Sequence, residues 1–189
     1  MEDVINQIEE FVRECSLDNE PGHDYSHIER VRKLAKYISS NVTSDPFLVD
    51  IIALLHDVND HKLNNDFQVN EFINKLTIDE HLKKQIIDIL PYLSFSKYPV
   101  LPNDFPIVGK IVSDADRLDA MGAIGIARAF SYGGNKNRSF EKTIKHFDDK
   151  LLKLDSYLYF DISKKIAKNR ISILQEFFEE FNKEIKGEF

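Results

Sequence analysis

Pro46-Phe47-Leu48-Val49-Asp50-Ile51-Ile52-Ala53-Leu54-Leu55-His56-Asp57 is the stretch that decides the fold. Asp45 before Pro46 is a helix start signal, because proline at the first helical position removes no needed donor and presets φ. The spacing predicts a helix from Phe47 to about Val58 that is apolar nearly all round. Such a helix has no face to offer water, so it is central and buried. It ends on His56 and Asp57, where an unpartnered charge would be costly.

Working outward, helical periodicity dominates and no convincing strand alternation is found. Val4, Ile5, Ile8, Phe11 and Val12 mark an amphipathic helix, which Asn19-Glu20-Pro21-Gly22 breaks. Ser26 with Glu29 reads as a capping box, placing His27 in the first turn of a helix whose apolar face is Ile28, Val31, Leu34, Ala35 and Ile38. Thr77 with Glu80 reads as another capping box, before a helix to about Leu90. Residues 98–106 hold three prolines and read as a loop. Pro106 then opens a helix through Asp116. Gly122 to Tyr132 follows as a helix closed by Gly133-Gly134, and 135–138 is a short basic loop. Helices at about Phe140–Leu154 and Asp161–Ile185 complete an all-α chain. A single compact helical bundle spanning 1–189 is predicted, with its core motifs in about 22–132 and C-terminal helices in about 140–186.

Composition narrows the classes. The 189 residues suit one domain of ordinary size, and 42% hydrophobic with 30% charged residues is a globular balance. A net charge of −7 argues against a broad footprint for duplex nucleic acid or an anionic membrane, though a local basic pocket is compatible with it. No apolar run approaches the roughly 20 residues of a membrane span. The acidic start Met1-Glu2-Asp3 lacks a signal-peptide layout. Cys15 is the only cysteine, which excludes an intrachain disulfide and fits a reducing cytoplasm. It reads as a small buried residue rather than a nucleophile.

Three short stretches read together as one metal site: Asp24-Tyr25-Ser26-His27-Ile28, Leu55-His56-Asp57, and Asp114-Ala115-Asp116-Arg117-Leu118-Asp119. Neutral imidazole nitrogen combined with carboxylate oxygen suits a borderline or hard divalent cation. Adjacent residues at a helix end, though splayed by about 100° on the helical wheel, can converge on a cation beyond the terminus. His27 would approach from its own first turn and Asp116 from a third helix. Asp60 lies three residues after Asp57 and four after His56, the same side of a continuing helix. A carboxylate there could orient a water or take its proton.

The order His, His-Asp, Asp resembles the signature of the HD superfamily of metal-dependent phosphohydrolases. Residues 22–31, 54–63, 114–128 and 146–154 resemble four motif segments of its small bacterial nucleotide pyrophosphohydrolase branch. The resemblance implies His27, His56, Asp57 and Asp116 as ligands of one divalent ion. Manganese is favoured, with Mg2+, Co2+, Ni2+ and Fe2+ compatible. Asp114 and Asp119 are weaker candidates, Asp119 being equally readable as a cap of the following helix. It implies hydrolysis of a nucleoside or deoxynucleoside triphosphate to the monophosphate and pyrophosphate. The alternatives are a nucleoside 5′-monophosphate phosphomonoesterase and a nucleotide-binding regulatory module without turnover.

For catalysis the candidates are Asp60 and Lys62, and for substrate binding His23, Arg30, Arg117 and Lys150; His23 could contact substrate or act as an acid, and Arg30, Lys62 and Arg117 gain from motif position. Arg suits bidentate phosphate contacts and Lys a point charge. Arg128 reads as structural. Two-metal members of the superfamily add histidines between the doublet and the final Asp; this chain offers only His61 and His81, the latter in an exposed charged run, so a mononuclear site is favoured. Tyr159-Phe160 stands where relatives carry Asn-Thr, which leaves base and sugar preference open. The oligomeric state is also open, a homodimer being one option.

Overall fold

The computed structural model describes residues 1–16, 24–58 and 66–188, with backbone alone at 66–68. The sequence-predicted residues His23, Asp60, His61 and Lys62 lie outside the described residues. The chain is all-α, with no strand among the described residues. It divides into two units, the first reaching Ala115 and the second beginning at Asp116.

The first unit holds α1 (Glu2–Cys15), α2 (Tyr25–Ser39), α3 (Pro46–Leu55), α4 (Asp66–Lys75), α5 (Glu80–Ile89) and a 3-10 helix at Leu90–Tyr92. α6 (Ile107–Asp119) starts in it and ends in the second. α3 is the central helix that its sequence predicts, since Leu48 through Leu55 are all buried. It packs on α1, α2 and α5. Asp45 caps it as expected, its carboxylate accepting from the backbone N–H of Phe47 and Leu48.

Two cap assignments need correction. Asp24 caps α2, its carboxylate accepting from His27 N–H at 3.0 Å, and Ser26 instead donates to Asp24. Asp79 caps α5, accepting from His81 N–H. In both places an aspartate precedes the predicted hydroxyl residue or stands closer to the helix start. The carboxylate also complements the positive end of the helix dipole. α3 is shorter than predicted and stops at Leu55, which makes His56 its C-cap. α4 was not predicted, although Val69, Phe72, Ile73 and Leu76 follow the i, i+3, i+4, i+7 spacing of an amphipathic helix and Val69, Ile73 and Leu76 are buried. It is anchored where Phe72 stacks on Phe11 of α1, with ring centroids 4.0 Å apart.

The one acidic residue inside α3 finds its partners on two neighbouring helices. Asp50 is 7% exposed and takes a bidentate hold from Arg32 of α2, Nε on one carboxylate oxygen and Nη2 on the other at 2.9 Å. Lys36 Nζ adds a contact at 2.9 Å, and Arg32 Nη1 donates onward to Glu9 of α1. Burial opposes ionisation of Asp50, but the hydrogen bonds and charges of Arg32 and Lys36 outweigh it. Its carboxyl is held below the usual range. The Arg32 guanidinium is in turn held protonated, first by its hydrogen bond to Asp50.

The second unit contains α7 (Gly122–Asn135), α8 (Phe140–Asp149), a 3-10 helix at Leu151–Tyr157 and α9 (Asp161–Lys186). α7 runs through Gly133-Gly134 rather than ending there. Gly133 serves packing instead, since a Cβ on it would lie 2.5 Å from Thr143 Oγ1 of α8. Gly122 has φ +69 and sits over the Arg170 stem, so it turns the chain between α6 and α7. The predicted helix at 140–154 is broken at Lys150, and its second half is the 3-10 segment. Phe130 of α7 centres an aromatic cluster with Phe140, Phe147, Phe177 and Phe181, each ring centroid within 5.9 Å of its own. Among the described residues no helix is long and apolar enough to cross a membrane.

Candidate metal centre

Local capping decides where the two imidazoles sit. Asp24 starts α2 one residue before Tyr25, so His27 is the third residue of the first turn, and it is 1% exposed. Arg13 of α1 lies over the Tyr25 ring at 3.7 Å, which anchors this end of α2. His56 terminates α3 with helical φ and ψ, so its side chain projects from the last turn of a buried helix. Asp57 follows, half-buried.

The His56 ring is oriented by the backbone beneath it. Its Nδ1 lies 2.8 Å from the Ala53 carbonyl oxygen, which can only accept, so Nδ1 carries the proton. Nε2 is then the basic nitrogen, and it lies 3.3 Å from His27 Nε2. The rings meet edge to face at 67°. Two nitrogens bound to one first-row cation at about 2.0–2.1 Å stand about 3–3.5 Å apart at tetrahedral or octahedral angles. Ligand atoms of His27, His56 and Asp57 all fall within 4.8 Å of one another. A histidine that binds metal usually gives its other N–H to a carbonyl or carboxylate, as His56 does here. The donor set and its spacing therefore fit a divalent ion.

Around α2's first turn a polar chain extends from this pair. Arg30 Nη1 donates to Ser26 Oγ at 3.0 Å, and Ser26 donates to Asp24 at 2.7 Å. Burial pushes the Asp24 carboxyl up, but the Ser26 hydroxyl, the His27 N–H and the Arg30 charge prevail and lower it. Asp24 thus stays an anion that holds both the helix start and Arg30, one turn from His27.

The remaining predicted residues fall as follows. Asp116 is half-buried on the last turn of α6. Arg117 is 2% exposed, donates to the Tyr157 carbonyl at 2.7 Å and lies 5.3 Å from the Tyr159 ring centre. Asp114 is fully buried. Asp119 pairs with Arg128 at 2.9 Å, giving Arg128 the structural place expected of it. Asp119 does not cap α7, whose N-cap is Met121 without a side-chain bond. Lys150 is the half-buried C-cap of α8. His81 is exposed, as expected. Cys15 is half-buried, and burial raises its thiol, so it is no thiolate at neutral pH.

Sequence reading missed the Arg32–Asp50 pair that ties α2 to α3. The available signal was Asp50 itself, a lone acid in a helix otherwise too apolar to tolerate it.

Comparison with known proteins gives the family and the fold. A family model described as HD domain matches residues 24–121. The chain is 35% identical over 191 residues to the YpgQ protein of Bacillus subtilis (strain 168), covering 96% of this chain and 93% of that one. A crystal structure of Bacillus subtilis YpgQ in complex with ADP superposes with a TM-score of 0.81 at 31% identity, over 97% and 98% of the two chains. An HD-superfamily hydrolase from Bacillus thuringiensis superposes at 0.77 with 33% identity, over 98% of each.

Proposed function

Because this chain belongs to the HD-domain family of hydrolases, we propose that it hydrolyses a nucleoside or deoxynucleoside triphosphate to the monophosphate and pyrophosphate. The observation that carries this reading is the His27–His56–Asp57 group, with His56 Nδ1 committed to Ala53 and Nε2 turned to His27. The ADP complex of the related YpgQ supports a nucleotide as ligand.

His27, His56, Asp57 and, from α6, Asp116 would hold one divalent ion, manganese by preference. When bound it supplies Lewis-acid polarisation of a phosphate oxygen and lowers the pKa of a water. Asp60 takes the proton as water attacks the α-phosphorus, and the bridging oxygen leaves with pyrophosphate. Lys62, Arg30 and Lys150 offset the charge of the phosphate chain, and His23 contacts the substrate. Arg117 contributes its charge from a fixed place, since one of its nitrogens is committed to Tyr157. Tyr159 and Phe160 make the neighbouring segment more apolar than Asn-Thr would, which favours stacking or packing over hydrogen bonding to the nucleoside.

Incubation with each deoxynucleoside triphosphate and Mn2+, with products separated by chromatography, tests this directly. Monophosphate and pyrophosphate are expected in equal amounts. Inorganic phosphate released from monophosphates, with triphosphates untouched, would establish the phosphomonoesterase instead. Intact triphosphate as product would mark a triphosphohydrolase, and nucleotide binding without turnover a regulatory module.

Asp60→Asn separates proton transfer from metal binding. It is expected to keep metal and nucleotide affinity while slowing turnover by about 10²–10⁴-fold, the usual range for a general base. Unchanged turnover with normal metal content would remove Asp60 from the chemistry.

A further inference from the structure

The second unit gathers positive charge at one corner. From Lys136 to Lys153 the sequence holds six Lys and Arg against three Asp and Glu, in a chain of net charge −7. Asn137, at φ 52, turns the chain after α7, and Arg138 N–H returns to the Gly133 carbonyl at 2.8 Å. That turn lays Arg138 over the Tyr132 ring, Cζ 4.9 Å from its centre, with Lys136 Nζ at 5.8 Å from the same centre.

α8 meets this corner through Thr143, which touches Gly133. With 3.6 residues per turn, positions 143, 146, 147 and 150 follow one stripe of α8. Thr143 and Phe147 are buried, and His146 and Lys150 are half-buried beside them. Lys145 and Asp148 point away from that stripe. His146 therefore shares the Lys150 side of α8, the side on which Thr143 meets the Gly133 turn that Arg138 closes. Burial and then these two charges disfavour its protonation, with Asp149 partly offsetting them.

We propose that Tyr132, Arg138, His146 and Lys150 form an anion subsite that takes an oligophosphate, either free pyrophosphate or the phosphate chain of a nucleotide. Guanidinium offers paired donors to phosphate oxygens, ammonium a point charge, and imidazole a further donor. The tyrosine face restricts the guanidinium, so less freedom is lost on binding. Like charges held together gain from an intervening anion. The choice of oligophosphate rests on the proposed reaction, whereas the cluster itself lies wholly in the second unit, apart in sequence from His27, His56 and Asp57.

The test uses full-length His56→Ala protein, in which turnover is expected to be lost. Pyrophosphate, inorganic phosphate and dATP are titrated separately, and the His146 ring signals, identified by their loss in His146→Gln, are followed by NMR. Pyrophosphate should move those signals and bind more tightly than phosphate, and added salt should weaken it. Arg138→Gln should weaken it by at least about tenfold, the loss of one charge-assisted hydrogen bond. Lys145→Gln, on the opposite side of α8, should leave it unchanged. Response to dATP alone would assign the subsite to a nucleotide chain, and response to pyrophosphate as well to the free anion. His146 signals unmoved by both, or equal affinities in Arg138→Gln and Lys145→Gln, would overturn the proposal. A wild-type enzyme that turns over nucleotide without this response would refute the subsite alone. A responding protein that turns over nothing would refute the proposed reaction alone.

Discussion

His56→Ala is expected to lose its bound divalent ion and its hydrolytic rate together, the rate falling by at least about 10³-fold. The reason is the geometry of the pair. His56 presents Nε2 to His27 Nε2 at 3.3 Å because the Ala53 carbonyl holds the other ring nitrogen. Removing the ring leaves one imidazole and the Asp57 carboxylate from this cluster, too few to hold a cation against water. The fold should survive, because His56 is the C-cap of α3 and not one of the apolar residues that α3 buries. Metal content, turnover and thermal unfolding measured on one preparation decide it. Asp57→Ala should behave alike. A His56→Ala protein that is folded, metal-loaded and active would place the ion elsewhere and remove His56 from the site.

The parts of this site that were legible in the sequence are those whose chemistry is local. Pro46 through Asp57 announces a buried helix ending on His56 and Asp57 because apolarity and termination are both written in consecutive residues. His27 was placed in a first turn correctly even though the cap was misassigned. Asp24 and Ser26 compete for the same N–H groups, and the backbone entry angle selects between them. Gly133-Gly134 was misread as a helix end for a related reason. A glycine stops a helix or admits a neighbouring one, and only the approach of Thr143 distinguishes the two. The break at Lys150 leaves no mark that proline or glycine would have left, so the helix at 140–154 looked continuous. The contact that fixes Arg117 in place was not legible. Its partner, the Tyr157 carbonyl, lies 40 residues away and is set by tertiary packing.

Asp50→Ala is expected to destabilise the first unit by about 3–5 kcal/mol, the usual result of breaking a buried ion pair on one side. The residue joins α3 to Arg32 and Lys36 of α2, and Arg32 continues to Glu9 of α1. Side-chain exposures of 10% for Asp50 and 19% for Arg32 leave little water to replace the missing partner. Removing the acid leaves the guanidinium with Glu9 alone, its Nε and Nη2 donors facing an apolar helix. Replacing both partners by Arg32→Met with Asp50→Leu should recover part of the loss, because the guanidinium and the carboxylate go together and the more exposed Glu9 and Lys36 can turn to water. The same pair sets a pH dependence. Asp50's folded pKa lies below its unfolded value of about 3.9, so its contribution is fully present above about pH 4 and is lost as pH falls through the lower folded value. Urea unfolding of wild type should weaken across that acid window, and Asp50→Ala should weaken less steeply there. Because Arg32 and Asp50 tie together the two helices that carry His27 and His56, Asp50→Ala should also loosen metal binding while leaving every ligand in place. Equal stability of wild type and Asp50→Ala at neutral pH would show that the pair contributes nothing beyond what packing of α2 on α3 already supplies.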